Sequence, residues 1–374
     1  MDVQSSRPAW IEIDLDALKH NYYTIRNKIG DKTKIAAVVK ADAYGHGAVK
    51  TAQKLSRWGV DYLCVGSPDE GIELREAGIK EPILVLAEVL ENQYQDVIKG
   101  NLIQTAASSR TLYGLNNAAA EADLIQPVHL VVDTGMGRIG FLPGNLLKAF
   151  KTAENLKNIR IEGVFSHLAR ADEKDKTFAY QQLEKFKNIM EEIENLGYEI
   201  PLKHIANSAA LIDLPEFELD MVRPGIMLYG LLPSHQLNKN ADLKPVLSFK
   251  TRVVQLRQLP AGAAISYGSI YKTEEKEKIA VLPIGYKDGY PRLLSNQGEV
   301  LIRNKRSPIR GRVCMGQTIV GVNKVKDIEV GDEVVLIGRQ GKSEIKAAEI
   351  ADLCGTINYE VVCNLSERLE KIYI

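Results

Sequence analysis

The stretch AAVVKADAYGHG at residues 36–47 ends an apolar, β-branched run in a lysine and continues into a glycine-rich turn. A lysine that closes a buried strand costs free energy unless its amine has a partner or a chemical task. Burial lowers the pKa of an amine, and a neutral amine can attack a carbonyl carbon. Taken alone, the run also fits a strand-end lysine that reaches water, because lysines are mostly exposed. The rest of the sequence favours a reactive Lys40.

The run around Lys40 is the first of eight short β-branched runs that precede residue 240. Helix-period segments separate most of these runs; one has apolar side chains at Leu15, Leu18, Tyr22, Ile25 and Ile29. Eight strands alternating with helices over this length favour a (β/α)8 TIM-type barrel, and hence an α/β fold, over a doubly wound sheet. The predicted strands lie at residues 34–40, 62–67, 82–87, 103–107, 128–135, 161–168, 202–208 and 221–230.

After about residue 240 the alternation stops, and strands separated by glycine, proline and charged turns follow. We predict an N-terminal barrel over residues 1–240 and a mainly β domain over residues 241–374. A first strand near residues 8–14 can pack with the second domain. The predicted elements of that domain are strands at 246–256, 278–284, 298–303, 318–322 and 332–337, and a single helix at 345–353.

Composition narrows the functional classes. The chain of 374 residues has 48 basic and 48 acidic side chains, so it has no net charge. This balance provides no electrostatic basis for binding nucleic acid or an anionic membrane. Four cysteines and six histidines, without the spacing of metal ligands, predict a cytoplasmic protein that holds no structural metal. The polar N-terminus and the strand-sized apolar runs predict neither a signal peptide nor a membrane-spanning helix.

Polar side chains follow several of the predicted barrel strands. The active groups of such barrels lie at the carboxyl ends of the strands, so this placement predicts a site at one rim. The residues concerned are Lys40 and Tyr44 after strand one, the segment 133–138 after strand five, Ser166 and His167 after strand six, 204–208 after strand seven, and 223–226 in strand eight.

The last two strands supply Asn207, Ser208, Gly225 and Ile226, where barrels often bind phosphate through backbone amides and hydroxyls. The sequence contains neither a Walker-type loop nor a dinucleotide fingerprint, so we expect the phosphate to belong to a small cofactor. A carbonyl-binding lysine beside a phosphate site indicates pyridoxal phosphate, although aldolases combine the same features.

The chain resembles the alanine racemases over nearly its whole length. The resemblance implies a barrel followed by a β domain, pyridoxal 5'-phosphate as cofactor, and a head-to-tail homodimer. Each active site would then take groups from the β domain of the partner subunit. The matching segments are 36–47, 133–141, 166–168, 206–210, 222–230, 266–271, 283–292, 311–317 and 355–360.

The resemblance also implies residue roles. Lys40 would bind the cofactor covalently and act as the base on one face of the substrate Cα. Tyr267 of the partner subunit would be the base on the opposite face, and His167 would link that tyrosine to Arg223. Arg223 would face the pyridine nitrogen. Because a guanidinium keeps its protons, the nitrogen should stay unprotonated, which favours a racemase over a decarboxylase of the same fold.

The remaining residues assigned by resemblance bind the cofactor or the small amino-acid substrate, and none is a metal ligand. Arg138 would lie near the phenolic oxygen of the cofactor and the substrate carboxylate. Met315 of the partner subunit would meet that carboxylate through its backbone, and Tyr286 would line the entrance. The phosphate contacts would be Tyr44, Ser208, Gly225, Ile226 and Tyr359, with Asn207 beside them.

Two positions depart from the family pattern. Val131 stands where many members carry a lysine modified to a carbamate, so another anion must hold Arg138 or this arginine is less restrained. Gly316 replaces the aspartate of the usual Cys-Met-Asp-Gln segment, which can loosen the surroundings of Tyr267 and widen the substrate pocket. Both changes affect the expected substrate range and leave Lys40 and Tyr267 in place.

The sequence thus predicts a racemase that interconverts L- and D-alanine and supplies D-alanine for peptidoglycan. Three alternatives stay open: a serine or broad-specificity racemase, a decarboxylase of the same fold, and a non-catalytic carrier of the cofactor.

Three other side chains have simpler interpretations. His46 is expected to be a structural donor in its turn, His204 a core or rim histidine, and Cys314 a packing residue.

Overall fold

A computed structural model describes residues 7–237 and 241–374 of the chain. The chain divides into two compact units, Lys19–Lys244 and a second unit that joins Pro245–Ile374 to the N-terminal residues up to Leu18. The domain boundary predicted at residue 240 lies outside the described residues.

The unit Lys19–Lys244 contains the predicted barrel of eight parallel strands. They are β2 Lys34–Val38, β3 Tyr62–Val65, β4 Ile83–Val85, β5 Ile103–Ala106, β6 Gln126–Val131, β7 Ile159–Phe165, β8 Leu202–His204 and β9 Met221–Val222. Neighbours pair in chain order from β2 to β8, and β9 pairs with β2. A single parallel bridge between Asn207 and Arg223 joins the remaining edges just beyond β8 and β9. The predicted fold class is confirmed.

Helices follow most of the strands. Asp14 begins the first of them, since its carboxylate accepts a hydrogen bond from the amide of Ala17 at 2.8 Å. Leu18, Tyr22 and Ile25 are almost completely buried, as their helical spacing predicts. The helices are α1 Leu15–Lys28, α3 Ala48–Arg57, α4 Pro68–Glu76, α5 Tyr94–Lys99, α6 Ser109–Glu121, α7 Leu146–Glu154, α8 Thr177–Asn195 and α9 Ser208–Asp213, and a short turn, α2 Lys40–Gly45, follows β2.

The second unit is mainly β structure. Its strands are β1 Ala9–Ile13, β10 Leu247–Arg252, β11 Gln255–Leu259, β12 Ala264–Ile265, β13 Tyr271–Lys272, β14 Glu277–Leu282, β15 Glu299–Ile302, β16 Lys305–Pro308, β17 Thr318–Gly321, β18 Glu333–Gln340, β19 Ser343–Ile345 and β20 Glu370–Tyr373. A three-stranded sheet runs β11-β14-β17, and a seven-stranded sheet runs in the order β16-β15-β18-β10-β1-β20, with β19 paired to β18. In the seven-stranded sheet β1 pairs antiparallel with β10 and parallel with β20.

Two predictions for this unit were wrong in detail. The predicted strand 246–256 is two strands, because the chain leaves one sheet after β10 and enters another at β11. Val253 marks the switch by donating to the carbonyl of Asp332, and Val254 then donates to Val281. The predicted single helix is followed by a second one of six residues, too short for a periodic signal. The two helices are α10 Ala347–Cys354 and α11 Asn358–Cys363.

Within residues 7–237 and 241–374, the helices lack the length and apolar character needed to cross a bilayer.

Candidate active site

Lys40 lies just beyond the buried strand β2, separated from it by Val39, and it is the first residue of the turn α2, which is left-handed. Ala41, Asp42, Ala43 and Tyr44 all have φ between 52° and 54°. A residue with a Cβ costs roughly 1–2 kcal/mol in this region of φ and ψ, and it rarely occurs in consecutive positions. The turn therefore persists only because surrounding groups hold it, and it fixes the direction in which Lys40 and Tyr44 leave the backbone.

Three side chains hold the turn. The carboxylate of Glu70, on α4, accepts hydrogen bonds from the amides of Ala41 at 2.7 Å and Gly66 at 2.6 Å. Asp42 accepts from the amide of Ala48 at 2.7 Å, where α3 begins. The buried Nδ1 of His46 lies within 3.0 Å of two turn carbonyls and donates to them, which is the structural role expected for this histidine.

Replacement of Glu70 tests whether the turn depends on this clamp. Glu70→Ala removes the acceptor of two backbone amides, so the free energy of unfolding should fall by about 2 kcal/mol. Hydrogen exchange at the amides of Ala41 and Gly66 should become faster than in the wild type. Glu76→Ala, an exposed position on the same helix, is the control and should leave both measurements unchanged. Unaltered exchange at Ala41 in Glu70→Ala would show that the turn is held without Glu70.

Tyr44, within the turn, lies close to Gly225, which is hydrogen-bonded to Ser208. The hydroxyl of Tyr44 approaches Gly225 so closely that a Cβ there would lie 2.6 Å from its oxygen, which explains the glycine. Ser208 Oγ accepts hydrogen bonds from the amides of Gly225 at 2.8 Å and Met227 at 3.4 Å. A hydroxyl has two acceptor positions and one hydrogen, so Ser208 keeps its hydrogen for donation to an anion.

Asn207 and Ile226 frame this group of donors. The Asn207 side-chain oxygen caps α9 by accepting from the amides of Ala209 and Ala210, both at 3.1 Å. Its side chain therefore shapes the loop that presents Ser208. Ile226 is fully buried and begins the short helical turn that follows Gly225.

Arg223 lies inside the barrel with only 4% of its surface exposed. One guanidinium nitrogen lies 2.5 Å from Nδ1 of His204, and the other donates to the carbonyl of Ser166 at 2.7 Å. The guanidinium also stacks on the ring of Phe165, 4.9 Å from its centroid. Burial lowers the pKa of Arg223 to about 10, so the side chain stays charged at neutral pH. His204 is a fully buried, hydrogen-bonded core histidine, as expected.

His167 is held in its neutral form. Burial, followed by the nearby charges of Arg223, Arg138 and Lys40, lowers its pKa to about 3. At neutral pH the imidazole therefore carries no charge, and it has one nitrogen that can donate a hydrogen bond and one that can accept. The three cations around it make this end of the barrel electropositive, which suits an anionic ligand.

The loop after β6 carries Arg138, which is exposed. Asp133 shapes the loop by accepting from the amides of Gly135 and Met136 at 2.9 and 2.8 Å and from the amide of Gly137. Burial opposes ionisation of Asp133, but these hydrogen bonds lower its pKa below the ordinary value. Val131 is 3% exposed. Its apolar side chain supplies no charge to Arg138.

Three of the predicted site residues in the second unit are exposed. Tyr267 is 73% and Met315 60% exposed, and Tyr286 is also exposed. Two backbone hydrogen bonds join the loops of Tyr286 and Met315: the amide of Tyr286 donates to Cys314 at 3.1 Å and that of Lys287 to Met315 at 2.9 Å. A Cβ at Gly285 would lie 2.1 Å from the Cys314 carbonyl oxygen, so this pairing requires glycine there.

Gly316 and Tyr359 complete the predicted residues of this unit. A Cβ at Gly316 would have no atom within 4 Å, so neither close packing nor a neighbouring backbone demands a glycine there. Tyr359 is half-buried in the first turn of α11. The sulfur of Cys314 shares a hydrogen bond with the hydroxyl of Ser266 at 3.4 Å. This contact is compatible with the packing role expected for Cys314.

The barrel end fits a phosphorylated aldehyde. Lys40 supplies the amine, the Ser208 hydroxyl keeps a hydrogen to donate, and Arg223 supplies a fixed positive charge. Among the described residues, His, Cys, Asp and Glu form no cluster of metal ligands. Sequence reasoning missed Glu70, because one more acidic residue on a charged helix carries no signal of its own.

Comparison with known proteins identifies the family. The model of the alanine racemase N-terminal domain matches residues 13–233, and that of the C-terminal domain matches residues 246–373. A protein named alanine racemase from Halothermothrix orenii is 51% identical over 373 residues, 100% of this chain and 98% of the relative. A solved alanine racemase from Clostridium difficile 630 superimposes with a TM-score of 0.95 at 41% identity, over 99% of this chain and 97% of that chain. One from E. faecalis gives 0.93 at 36% identity, over 100% of both chains. The chain therefore belongs to the alanine racemase family.

Proposed function

We propose that the protein interconverts L- and D-alanine with pyridoxal phosphate and two bases, Lys40 of one subunit and Tyr267 of the partner subunit. The observation that carries this proposal is the position of Lys40, at the start of a left-handed turn whose Tyr44 hydroxyl lies against Gly225, which in turn is hydrogen-bonded to Ser208. That arrangement suits a lysine bonded to a small phosphorylated aldehyde. The product D-alanine would serve peptidoglycan synthesis in the cytoplasm.

When bound, the cofactor would withdraw electrons from the substrate Cα and make its hydrogen acidic. Lys40 Nζ would remove or return this hydrogen on one face, and the phenolic oxygen of the partner subunit's Tyr267 would do so on the other. Arg223 would donate a hydrogen bond to the ring nitrogen and keep its own proton, since its pKa stays near 10. A ring nitrogen that stays unprotonated would withdraw electrons less strongly than a protonated one, which favours racemisation over decarboxylation.

A homodimer with shared active sites is the proposed assembly. Backbone hydrogen bonds fix the loop of the exposed Met315, and the hydroxyl of Ser266, next to the exposed Tyr267, donates to the carbonyl of Arg312. Exposed groups held in this way suit contact with a partner. Arg138 and the backbone of the partner subunit's Met315 would bind the substrate carboxylate. Tyr286 would line the entrance, and Tyr359 would contact the phosphate.

Alanine is the proposed substrate, because the ring of Tyr359, in its proposed role at the cofactor phosphate, would crowd a longer side chain. A serine or broader racemase is the second candidate, since Gly316 leaves open space where the family usually has a carboxylate. A chiral assay of alanine, serine and larger amino acids distinguishes them. Turnover of alanine that is clearly more efficient than that of the others supports the proposal, whereas equal or faster turnover of serine or larger substrates supports the second candidate.

Mixing two inactive variants tests the shared site. Lys40→Ala chains combined with Tyr267→Ala chains should form hybrid dimers that have one intact site and one doubly damaged site. Random exchange at equal concentrations should restore about a quarter of the wild-type activity, because half of the dimers are hybrids with one working site each. Native mass spectrometry of differently tagged chains measures the exchange. Absence of activity in a mixture that contains hybrids would exclude a site shared between subunits.

A further inference from the structure

A line of buried side chains continues from Arg223 into the barrel, away from the proposed cofactor site. The guanidinium contacts His204 Nδ1 at 2.5 Å, and His204 Nε2 lies 2.8 Å from His129 Nδ1. His129 Nε2 then faces Oε1 of Glu162 at 3.7 Å. Both histidines are completely buried. We call these four residues the internal chain.

The contacts with the guanidinium show which nitrogen of each histidine carries its hydrogen. A guanidinium only donates hydrogen bonds, so Nδ1 of His204 must accept, and its hydrogen is on Nε2. Nε2 therefore donates to Nδ1 of His129, which leaves the hydrogen of His129 on Nε2, directed at Glu162. Burial lowers the pKa of both imidazoles, so both are neutral. All hydrogen bonds of the internal chain thus point from Arg223 towards Glu162.

Local backbone geometry brings Glu162 into this line. The register between β6 and β7 shifts by one residue, since Val128 pairs with Ile161 whereas His129 pairs with Gly163. Glu162 is the extra residue of this bulge, and bulges commonly redirect a side chain. Gly163 makes room for the imidazole, because a Cβ there would lie 2.8 Å from Cε1 of His129.

Glu162 is ionised at the end of the chain. Its carboxylate accepts from the Tyr62 hydroxyl at 2.9 Å and from Arg160 at 3.0 Å. The N–H of His129, together with these two donors, lowers the pKa of Glu162 to about 2 against the opposing effect of burial. His129 Nε2 is buried and has no acceptor within hydrogen-bond distance among the described residues, so this carboxylate is the anion placed to stabilise its hydrogen.

We propose that Glu162 is a positioning residue for the racemase reaction: it stabilises the Nε2–H tautomer of His129 over the Nδ1–H form and so helps to keep an acceptor behind Arg223. This inference rests on the proposed function. Without the carboxylate, His129 could carry its hydrogen on Nδ1 and oppose the N–H of His204. A reversed His204 would then present a hydrogen to Arg223, and the guanidinium would lose its fixed orientation.

Nitrogen NMR of histidine-labelled protein without cofactor tests the tautomers independently of activity. In the wild type His129 and His204 should each show a single Nε2–H tautomer; an Nδ1–H form of either would overturn the proposal without any variant. In Glu162→Gln the His129 signal should become a mixture of tautomers. Tyr62→Phe is the control, because it removes another donor to the same carboxylate and should preserve the single tautomer.

Steady-state kinetics of the holoenzyme provides the second measurement. Glu162→Gln should lower kcat about tenfold in both directions with little change in KM, since a misoriented Arg223 acts after the substrate is bound. Tyr62→Phe should retain the wild-type kcat. Unchanged tautomers or an unchanged kcat in Glu162→Gln would overturn the role of Glu162. If the wild type failed to racemise amino acids while the tautomers behaved as stated, the proposed function would fail separately.

Discussion

Lys40→Ala should lose at least about a thousandfold in the racemisation of alanine, because it removes both the amine that binds the cofactor and one of the two bases. The wild type, purified with pyridoxal phosphate, should show the absorption of a cofactor bound to a lysine, and the variant should lack it. Chiral chromatography of the products measures the activity, and absorption spectroscopy measures the attachment. Lys32→Ala, an exposed position that precedes the same strand, is the control and should behave as the wild type.

Two outcomes would contradict the role proposed for Lys40. A wild type that stays colourless with added cofactor would exclude pyridoxal phosphate as the cofactor. Reduction with borohydride followed by peptide mass analysis identifies the modified lysine. A label on a lysine other than Lys40 in the wild type would place the site elsewhere in the barrel.

Tyr267→Phe should lose activity on one face of the substrate. The phenol is proposed to exchange a proton with Cα on that face only, and phenylalanine keeps the ring without the exchangeable hydrogen. Exchange of the α-hydrogen with deuterated water should therefore fall by about a thousandfold for one enantiomer and remain near the wild-type rate for the other. Mass spectrometry of each enantiomer separately gives the two rates.

Tyr271→Phe is the matched control for this variant. Tyr271 lies four residues further along the same unit, and its hydroxyl donates to Glu277 at 2.8 Å. Loss of this hydroxyl should leave both exchange rates unchanged. Equal losses for the two enantiomers in Tyr267→Phe would show that the phenol acts on both faces or supports the fold, and the two-base assignment would be abandoned.

Much of the barrel could be predicted because its strands are buried on both faces. Such strands appear in sequence as short continuous apolar runs, and the eight runs correspond to β2–β9. The residues at the strand ends could be assigned to one site on the same basis, since the carboxyl ends of parallel strands meet at one rim. The second unit was harder, because the continuous apolar run 246–256 hides the passage from one sheet to another between β10 and β11.

The features that escaped prediction depend on long-range contacts. Nothing local indicates that Ala41–Tyr44 adopt left-handed angles, because alanine and tyrosine disfavour them and Glu70 supplies the compensation from another helix. Glu162 resembles any charged residue on a strand until the bulge against β6 turns it inwards. Both acidic residues act through groups that are distant in sequence.

The amino-acid order alone therefore determined the barrel and the second β unit, and it singled out Lys40 as the residue to which the chemistry is assigned in the proposed function. Hydrophobic periodicity and strand-end composition are local properties, and a linear pattern records them directly. Only the tertiary structure decided how Lys40 is aimed, how Ser208 keeps a hydrogen to donate, and how Arg223 is backed by His204, His129 and Glu162. Hydrogen-bond direction and side-chain burial depend on which distant groups meet, and folding alone brings them together.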